Sequence, residues 1–374
     1  MSQLNSLKLL LISTPVGPLG SGLGGGVELT VRNIATELIN RGHRITIVAT
    51  KGSTAWGMPL VEIDGVLQTS IQTQTRDTPT IIPPSSVLAN MWDYGRQVQT
   101  DYDLIVNFAY DWLPFYLTPF FTRPIAHLVS MGSLTEAMDQ IIEQVAINFP
   151  GTIGVHSMAQ GATFSFKNRC RCLGNGIDLS VYSFCDSPSP WLGWVGRISP
   201  EKGLEDAVAA SDITAKPLKI MGLIQNQPYW QQILNDYPNA PIEYLGFLPT
   251  DQLQKHLRQC RALLMTPHWV EAFSTVAMEA LACGVPVISY DRGGSAEIIE
   301  DGKNGFLVEP DSVEGLVEAL GNLDRIDRRE CRRLLEVKYS NQAMGDRVEQ
   351  WLCVIVASSL RFVNKSHFVV FDTE

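Results

Sequence analysis

Apolar residues along this chain gather in short continuous runs that alternate with longer stretches of helical period. The first run, Leu7 to Thr14, predicts a strand buried on both faces, since a half-exposed strand would alternate apolar with polar positions. The glycine-rich stretch Pro15 to Gly26 follows, then a helical pattern from about Val27 to Asn40, ended by Arg41-Gly42. His43 to Thr50 is a second apolar run, which completes a βαβ unit. Leu104 to Phe108, Ile125 to Val129 and Thr152 to Val155 predict further strands between helical segments, and that alternation predicts a parallel sheet covered on both faces. Gln72 to Ser86, rich in Thr and Pro, reads as a long surface loop.

A second series starts after Asp186-Ser-Pro-Ser-Pro190, the strongest linker candidate. Strands are predicted at Trp191 to Val195, Leu218 to Met221, Ile242 to Leu245, Ala262 to Met265 and Val285 to Tyr290. Helices at Leu204 to Ser211, Tyr229 to Asp236, Asp251 to Gln259 and Ser274 to Ala282 separate them. The expected class is therefore α/β, with two doubly wound Rossmann-like domains, 1–185 and 186–340, facing each other across a cleft. Ligands belong at the strand carboxyl ends of such sheets. A last helical pattern, about Asn341 to Ser358, carries an apolar stripe with no sequence neighbour to cover it, and nothing is predicted for the tail 359–374.

Composition narrows the partners. The 374 residues are 45% hydrophobic and 18% charged, with a formal charge of −10. That balance argues against nucleic acid and against a general affinity for anionic membranes. No apolar stretch approaches spanning length, and the first residues show no cleavage pattern of a signal peptide. The seven cysteines are odd in number and scattered, as expected of reduced thiols in a cytoplasmic protein.

Three segments carry candidate chemistry. Glu271-Ala-Phe-Ser-Thr-Val-Ala-Met-Glu279 sets one carboxylate just before a short helix and one inside it, with Ser274 as N-cap. Free N–H groups at such a helix start make a phosphate seat, and a carboxylate accepts sugar hydroxyls in pairs. In Gly196-Arg-Ile-Ser-Pro-Glu-Lys-Gly203 a strand delivers Arg197 and Lys202 on one loop, two cations able to stabilise a departing diphosphate without a metal. Gly20-Ser-Gly22-Leu-Gly24-Gly25 satisfies the dinucleotide pattern between a strand and a helix. The second strand nevertheless ends Val48-Ala-Thr-Lys51, with no carboxylate for a ribose, so backbone approach to a phosphate or sugar fits better. Asp101-Tyr-Asp103 precedes a strand where a metal clip should follow one, and reads as a solvated turn.

Together these segments resemble a GT-B glycosyltransferase of the retaining family 4 kind. The matching residues are Gly24-Gly25-Gly26, Leu173-Gly-Asn-Gly-Ile-Asp178, Gly196-Arg197 with Glu201-Lys202-Gly203, Glu271 with Glu279, and Gly284 through Gly293-Gly294 to Gly305. The resemblance implies that Arg197 and Lys202 hold the diphosphate, Glu279 the ribose, and Glu271 the sugar hydroxyls, so that Arg197, Lys202 and Glu271 carry catalysis. It also implies that Gly25, Gly26, Ala272, Phe273, Ser274 and Thr275 line sugar and phosphates, that Gly246, Phe247 and Leu248 line the base, and that the C-terminal helix returns to the first domain. One departure stands out: Ser130 falls where such families often carry a histidine, and His127 reads as a core or strand-end residue.

For the acceptor, Glu28, Phe108, Tyr110, Trp112, Ser130 and Met131 are the candidates, the aromatics because they follow a strand end where a planar ring could stack. Ser13 to Thr30 and His127 to Leu134 are similar to a cyanobacterial group that glucosylates tetrahydrobiopterin from UDP-glucose. The expected activity is transfer of a hexose, with retention and with no metal or cofactor, from a nucleotide sugar to a soluble small acceptor. Open alternatives are a transferase building an oligosaccharide or glycolipid, a non-catalytic nucleotide-sugar-binding protein, and a nicotinamide oxidoreductase.

Overall fold

The computed structural model describes residues 6–71 and 74–366, with side chains to residue 359. The chain divides into two compact units, one of Met1–His156, Gly161–Gly176 and Met344–Glu374, the other of Ser157–Gln160 and Ile177–Ala343.

The first unit is built on a parallel sheet of seven strands: β1 (Lys8–Ile12), β2 (Arg44–Thr50), β3 (Leu60–Ile63), β4 (Leu104–Asn107), β5 (Ile125–Leu128), β6 (Ile153–Val155) and β7 (Arg171–Cys172). Their order is β3-β2-β1-β4-β5-β6-β7. Leu9, Leu10, Leu11 and Ile12 are fully buried, because helices cover both faces of the sheet. The second unit repeats the plan with β8 (Leu192–Val195), β9 (Leu218–Met221), β10 (Ile242–Gly246), β11 (Ala262–Met265), β12 (Val287–Tyr290) and β13 (Gly305–Val308), in the order β10-β9-β8-β11-β12-β13. Both are doubly wound sheets. In each, strand order reverses at one point, between β1 and β4 and between β8 and β11.

Three strands escaped the apolar pattern. The edge strand β3 has only partly covered side chains, and β7 spans two residues. Strand β13 begins at Gly305, where a Cβ would lie 1.9 Å from the carbonyl oxygen of Val287. Between Gln72 and Ser86, residues 72 and 73 lie outside the described residues.

The unit boundary differs from the expected one at 185. Segment 183–190 is bound into the second unit: Cys185 N–H donates to Cys283, Ser189 N–H to Gln259, and the buried Arg328 guanidinium to the carbonyl of Cys185. The chain passes between units at Gly176 and Ile177 instead, where Ile177 bridges Ser340.

The C-terminal helix, Asn341–Ser366, runs past the predicted end at 358. From Met344 onward it belongs to the first unit. Its apolar stripe, Met344, Val348, Trp351, Leu352 and Ile355, joins the core cluster of Leu9, Val31, Ile34 and Leu38. Arg41 ties the same helix down through Asp346 (2.8 Å) and Glu349 (2.9 Å), and the Trp351 indole N–H donates to Gly151 at 2.7 Å. Replacing Trp351 by Ala should therefore destabilise the first unit by about 3–5 kcal/mol, the cost of truncating a buried aromatic. Denaturant unfolding followed by a probe in that unit should show its transition shifted, and an unchanged transition would mean that the helix is not part of that core.

Candidate functional site

Lys202 and Glu271 of the second unit meet at its point of strand reversal. Lys202 follows β8 and Glu271 follows β11, neighbouring strands whose crossovers lead in opposite directions, the place where open α/β sheets form a crevice. The Lys202 ammonium pairs directly with Glu271 Oε1 and lies 5.5 Å from the Trp269 ring centre. Glu271 is buried. Arg197 is half-exposed, held by Gln225 Oε1 at 2.7 Å and by Glu201 at 3.4 Å.

Glycines allow this convergence. Gly203 adopts φ +61°, and a Cβ there would sit 2.0 Å from the Thr266 carbonyl oxygen, so the β8 and β11 loops touch backbone to backbone. Gly293, at φ +72°, and Gly294 pack under the Glu271–Phe273 backbone in the same way, and Gly294 N–H donates to the Glu271 carbonyl at 2.8 Å. Any side chain at these positions would displace the loop that carries Glu271.

Ser274 caps the helix Thr275–Ala282, its hydroxyl accepting from Ala277 N–H. The helix start carries the N–H groups left free at any helix N-terminus. Glu279, in its middle, is buried and accepts from the Tyr182 hydroxyl at 2.8 Å. Burial pushes its carboxyl up to about 7, opposed by the Tyr182 hydrogen bond. Tyr182 gave no sequence signal, because its partner lies 97 residues away. At the end of β10, Gly246 turns with φ +75° and leaves the Phe247 ring 59% exposed and Leu248 half-buried. A third cluster, Asp206, His268 and Asp311, is already internally matched: Arg292 takes both Asp311 oxygens, and the Tyr290 hydroxyl donates to Asp206.

In the first unit the glycine loop after β1 is folded around Glu28. The Glu28 carboxylate accepts from the N–H groups of Gly20 (2.7 Å), Gly22 (3.2 Å) and Gly24 (2.7 Å) and is itself buried. This corrects its expected role: Glu28 shapes the loop and has little capacity left for an acceptor. Gly25 and Gly26 are exposed at the start of the helix Gly26–Asn40.

Two of the acceptor aromatics are corrected as well. Phe108 is 1% exposed within the core, and Tyr110 is buried with its hydroxyl donating to Gly132, so neither offers a ring face. Trp112 remains accessible, stacked on Tyr116 with centroids 4.5 Å apart. Ser130 and Met131 are half-buried just beyond β5. His127 is fully buried between Asn107 and Thr118 and stacks on Phe115; burial lowers it to about 3, so it is a neutral core residue. Asp103 accepts from Lys8 N–H, as part of a turn.

Residues 186–336 match the family Glycosyl transferases group 1. A D-inositol 3-phosphate glycosyltransferase of Nocardia farcinica is 26% identical over 88% of this chain and 84% of its own. An uncharacterized glycosyltransferase of Methanocaldococcus jannaschii is 30% identical over 46% of this chain, which spans about half (48%) of that relative's length. Among solved structures, HepE of Anabaena in complex with UDP-glucose superposes with a TM-score of 0.74 at 18% identity, covering 93% of this chain and 100% of that one.

Two measurements test this geometry. Glu28→Gln replaces an acceptor of three N–H groups by an amide that turns donors toward them; amide exchange at Gly20 to Gly24 should accelerate, with a loss of about 1–3 kcal/mol for the orphaned groups. Unchanged protection would show that the carboxylate does not hold the loop. Glu279 is raised from 4.5 to about 7, so the folded state binds a proton that the unfolded state has lost. Stability should therefore fall as pH rises through that window. Glu279→Gln should flatten this part of the melting profile, and an identical slope in both proteins would show that Glu279 does not titrate there. The chain thus has the GT-B architecture, and residues 186–336 of its second unit match the model of the family Glycosyl transferases group 1.

Proposed function

We propose that this chain is a retaining glycosyltransferase that moves glucose from UDP-glucose, without a metal ion, to a soluble small acceptor in the cytoplasm, a reduced pterin being the acceptor that the sequence favours. The observation that carries the reading is the pairing of Lys202 with Glu271 at the strand reversal of the second unit. A diphosphate drawn to Arg197 and Lys202 takes the ammonium from Glu271, whose freed carboxylate then accepts sugar hydroxyls. The helix start at Ser274–Thr275 adds N–H donors for phosphate. Glu279, buried beside Tyr182, suits the paired hydroxyls of a ribose, and the exposed Phe247 ring suits a base. HepE, of like fold, was solved with UDP-glucose, which supports the choice of donor. Among the described residues, no helix is long and apolar enough to cross a membrane.

In this mechanism the bond from the anomeric carbon to the UDP oxygen breaks as the acceptor oxygen bonds to that carbon on the same face. The acceptor proton passes to the departing phosphate oxygen, so no protein base is required, in keeping with a neutral His127. Arg197 and Lys202 stabilise the charge growing on the diphosphate.

Lys202→Ala and Arg197→Ala should each lower turnover by about 100-fold or more, the scale of losing one preorganised donor, and activity should persist in excess chelator. Donor hydrolysis with a panel of UDP-, ADP- and GDP-sugars, and mass spectrometry for a hexosylated pterin, are the direct assays. Wild-type rates in either variant would overturn the roles of these two cations, and full loss in chelator restored by magnesium would overturn the metal-free reaction.

A further inference from the structure

After β11 the chain reaches Glu271 through Thr266-Pro-His-Trp-Val270. Two bonds tie this stretch to the loop after β8. The Thr266 hydroxyl donates to the Gly203 carbonyl at 2.6 Å, and His268 N–H donates to the Glu201 carbonyl at 3.0 Å. Arg292 also donates to the Pro267 carbonyl at 2.9 Å, and the His268 ring is engaged by Asp206 at 2.9 Å. The half-buried Trp269 is thereby fixed beside Lys202, whose ammonium lies over its ring, 5.5 Å from the centre.

A buried indole N–H usually finds an acceptor. That of Trp269 is buried and has none among the described residues. The ring is thus oriented for its face, and the face meets a cation. The Lys202 side chain is only 22% exposed, and a cation–π contact is strongest where water is excluded. An ammonium offers three N–H donors, of which Glu271 engages one. A carboxylate competes with an arriving anion for that cation. An indole face attracts it through its quadrupole and leaves both its charge and its donors available.

We propose that Trp269 is a positioning residue, whose ring face keeps the Lys202 ammonium at the diphosphate seat while the anion displaces Glu271 from it. This rests on the reading of Lys202 as a diphosphate cation, and adds the residue that holds that cation through the exchange.

The test follows UDP release from UDP-glucose at saturating donor. It compares wild type, Trp269→Leu, Trp269→Phe, Lys202→Ala and the double variant of Trp269→Leu with Lys202→Ala. Leucine keeps apolar bulk but has no π face, so turnover should fall about 10-fold, the scale of a desolvated cation–π contact. Phenylalanine should recover most of the loss. In Lys202→Ala, adding Trp269→Leu should change the rate by less than about 2-fold, because the ring acts through Lys202. A second readout needs no turnover: NMR of protein made with lysine isotopically labelled at its ε carbon. The Lys202 ε-methylene protons, identified by their absence from Lys202→Ala, should be shifted upfield by the ring current, with and without UDP. They should return to the ordinary lysine position in Trp269→Leu and remain shifted in Trp269→Phe. A wild-type rate in Trp269→Leu, a phenylalanine variant as slow as the leucine one, or a full effect of Trp269→Leu without Lys202 would overturn the proposal. So would a methylene signal that Trp269→Leu leaves in place. If wild type releases no UDP, the proposed reaction falls and the methylene signal decides this inference by itself. Turnover lost in Lys202→Ala but kept in Trp269→Leu sinks this inference alone.

Discussion

Lys202 and Glu271 can meet only because loop backbones in the second unit come into contact. At Gly203 the approach to Thr266 leaves no room for a Cβ, and at Gly293 and Gly294 the Glu271–Phe273 backbone fills the space. Two neighbouring parallel strands lie about 4.8 Å apart, so loops leaving β8 and β11 start close together. Whether their side chains converge depends on how tightly the loops fold back. The glycines decide this, and the ion pair then fixes a lysine and a buried carboxylate at one point.

The first unit solves the same problem by another route. Its glycine loop after β1 is too rich in glycine to hold a shape by itself, since glycine loses the most backbone freedom on ordering. Three of its N–H groups are gathered onto the one carboxylate of Glu28, a side chain fixed by the helix that follows. The loop's conformation is thereby tied to the helix start, and Gly25 and Gly26 are left as exposed backbone.

Most of the strand framework was legible, because a strand buried on both faces writes itself as a continuous apolar run. Leu218–Met221 and Ala262–Met265 fall where the pattern puts them. The strands that escaped it lie at the edges, where β3 is partly wet and β13 starts at a glycine. The boundary at 185 was misplaced because Ser-Pro-Ser-Pro resembles a linker, while the bonds that anchor it come from residues far along the chain such as Arg328. The positions of Lys202 and Glu271 on glycine-flanked loops were readable, and the two lie side by side. The roles of Phe108, Tyr110 and Glu28 were not readable, since burial and partner choice depend on which elements pack together.

The Lys202–Glu271 pair has a consequence for the order of events. In the unliganded protein Lys202 offsets the cost of burying the Glu271 carboxylate, a cost of several kcal/mol for an ion left alone. An anion that takes over Lys202 leaves Glu271 unpaired, so diphosphate binding by itself is opposed. A ligand that brings a diphosphate together with sugar hydroxyls resolves both halves of the exchange at once, giving Lys202 an anion and Glu271 its donors. On this reading the site distinguishes an intact nucleotide sugar from a bare nucleotide through one ion pair. In the proposed reaction, departure of the sugar would let Glu271 draw Lys202 back and so weaken the hold on the remaining diphosphate.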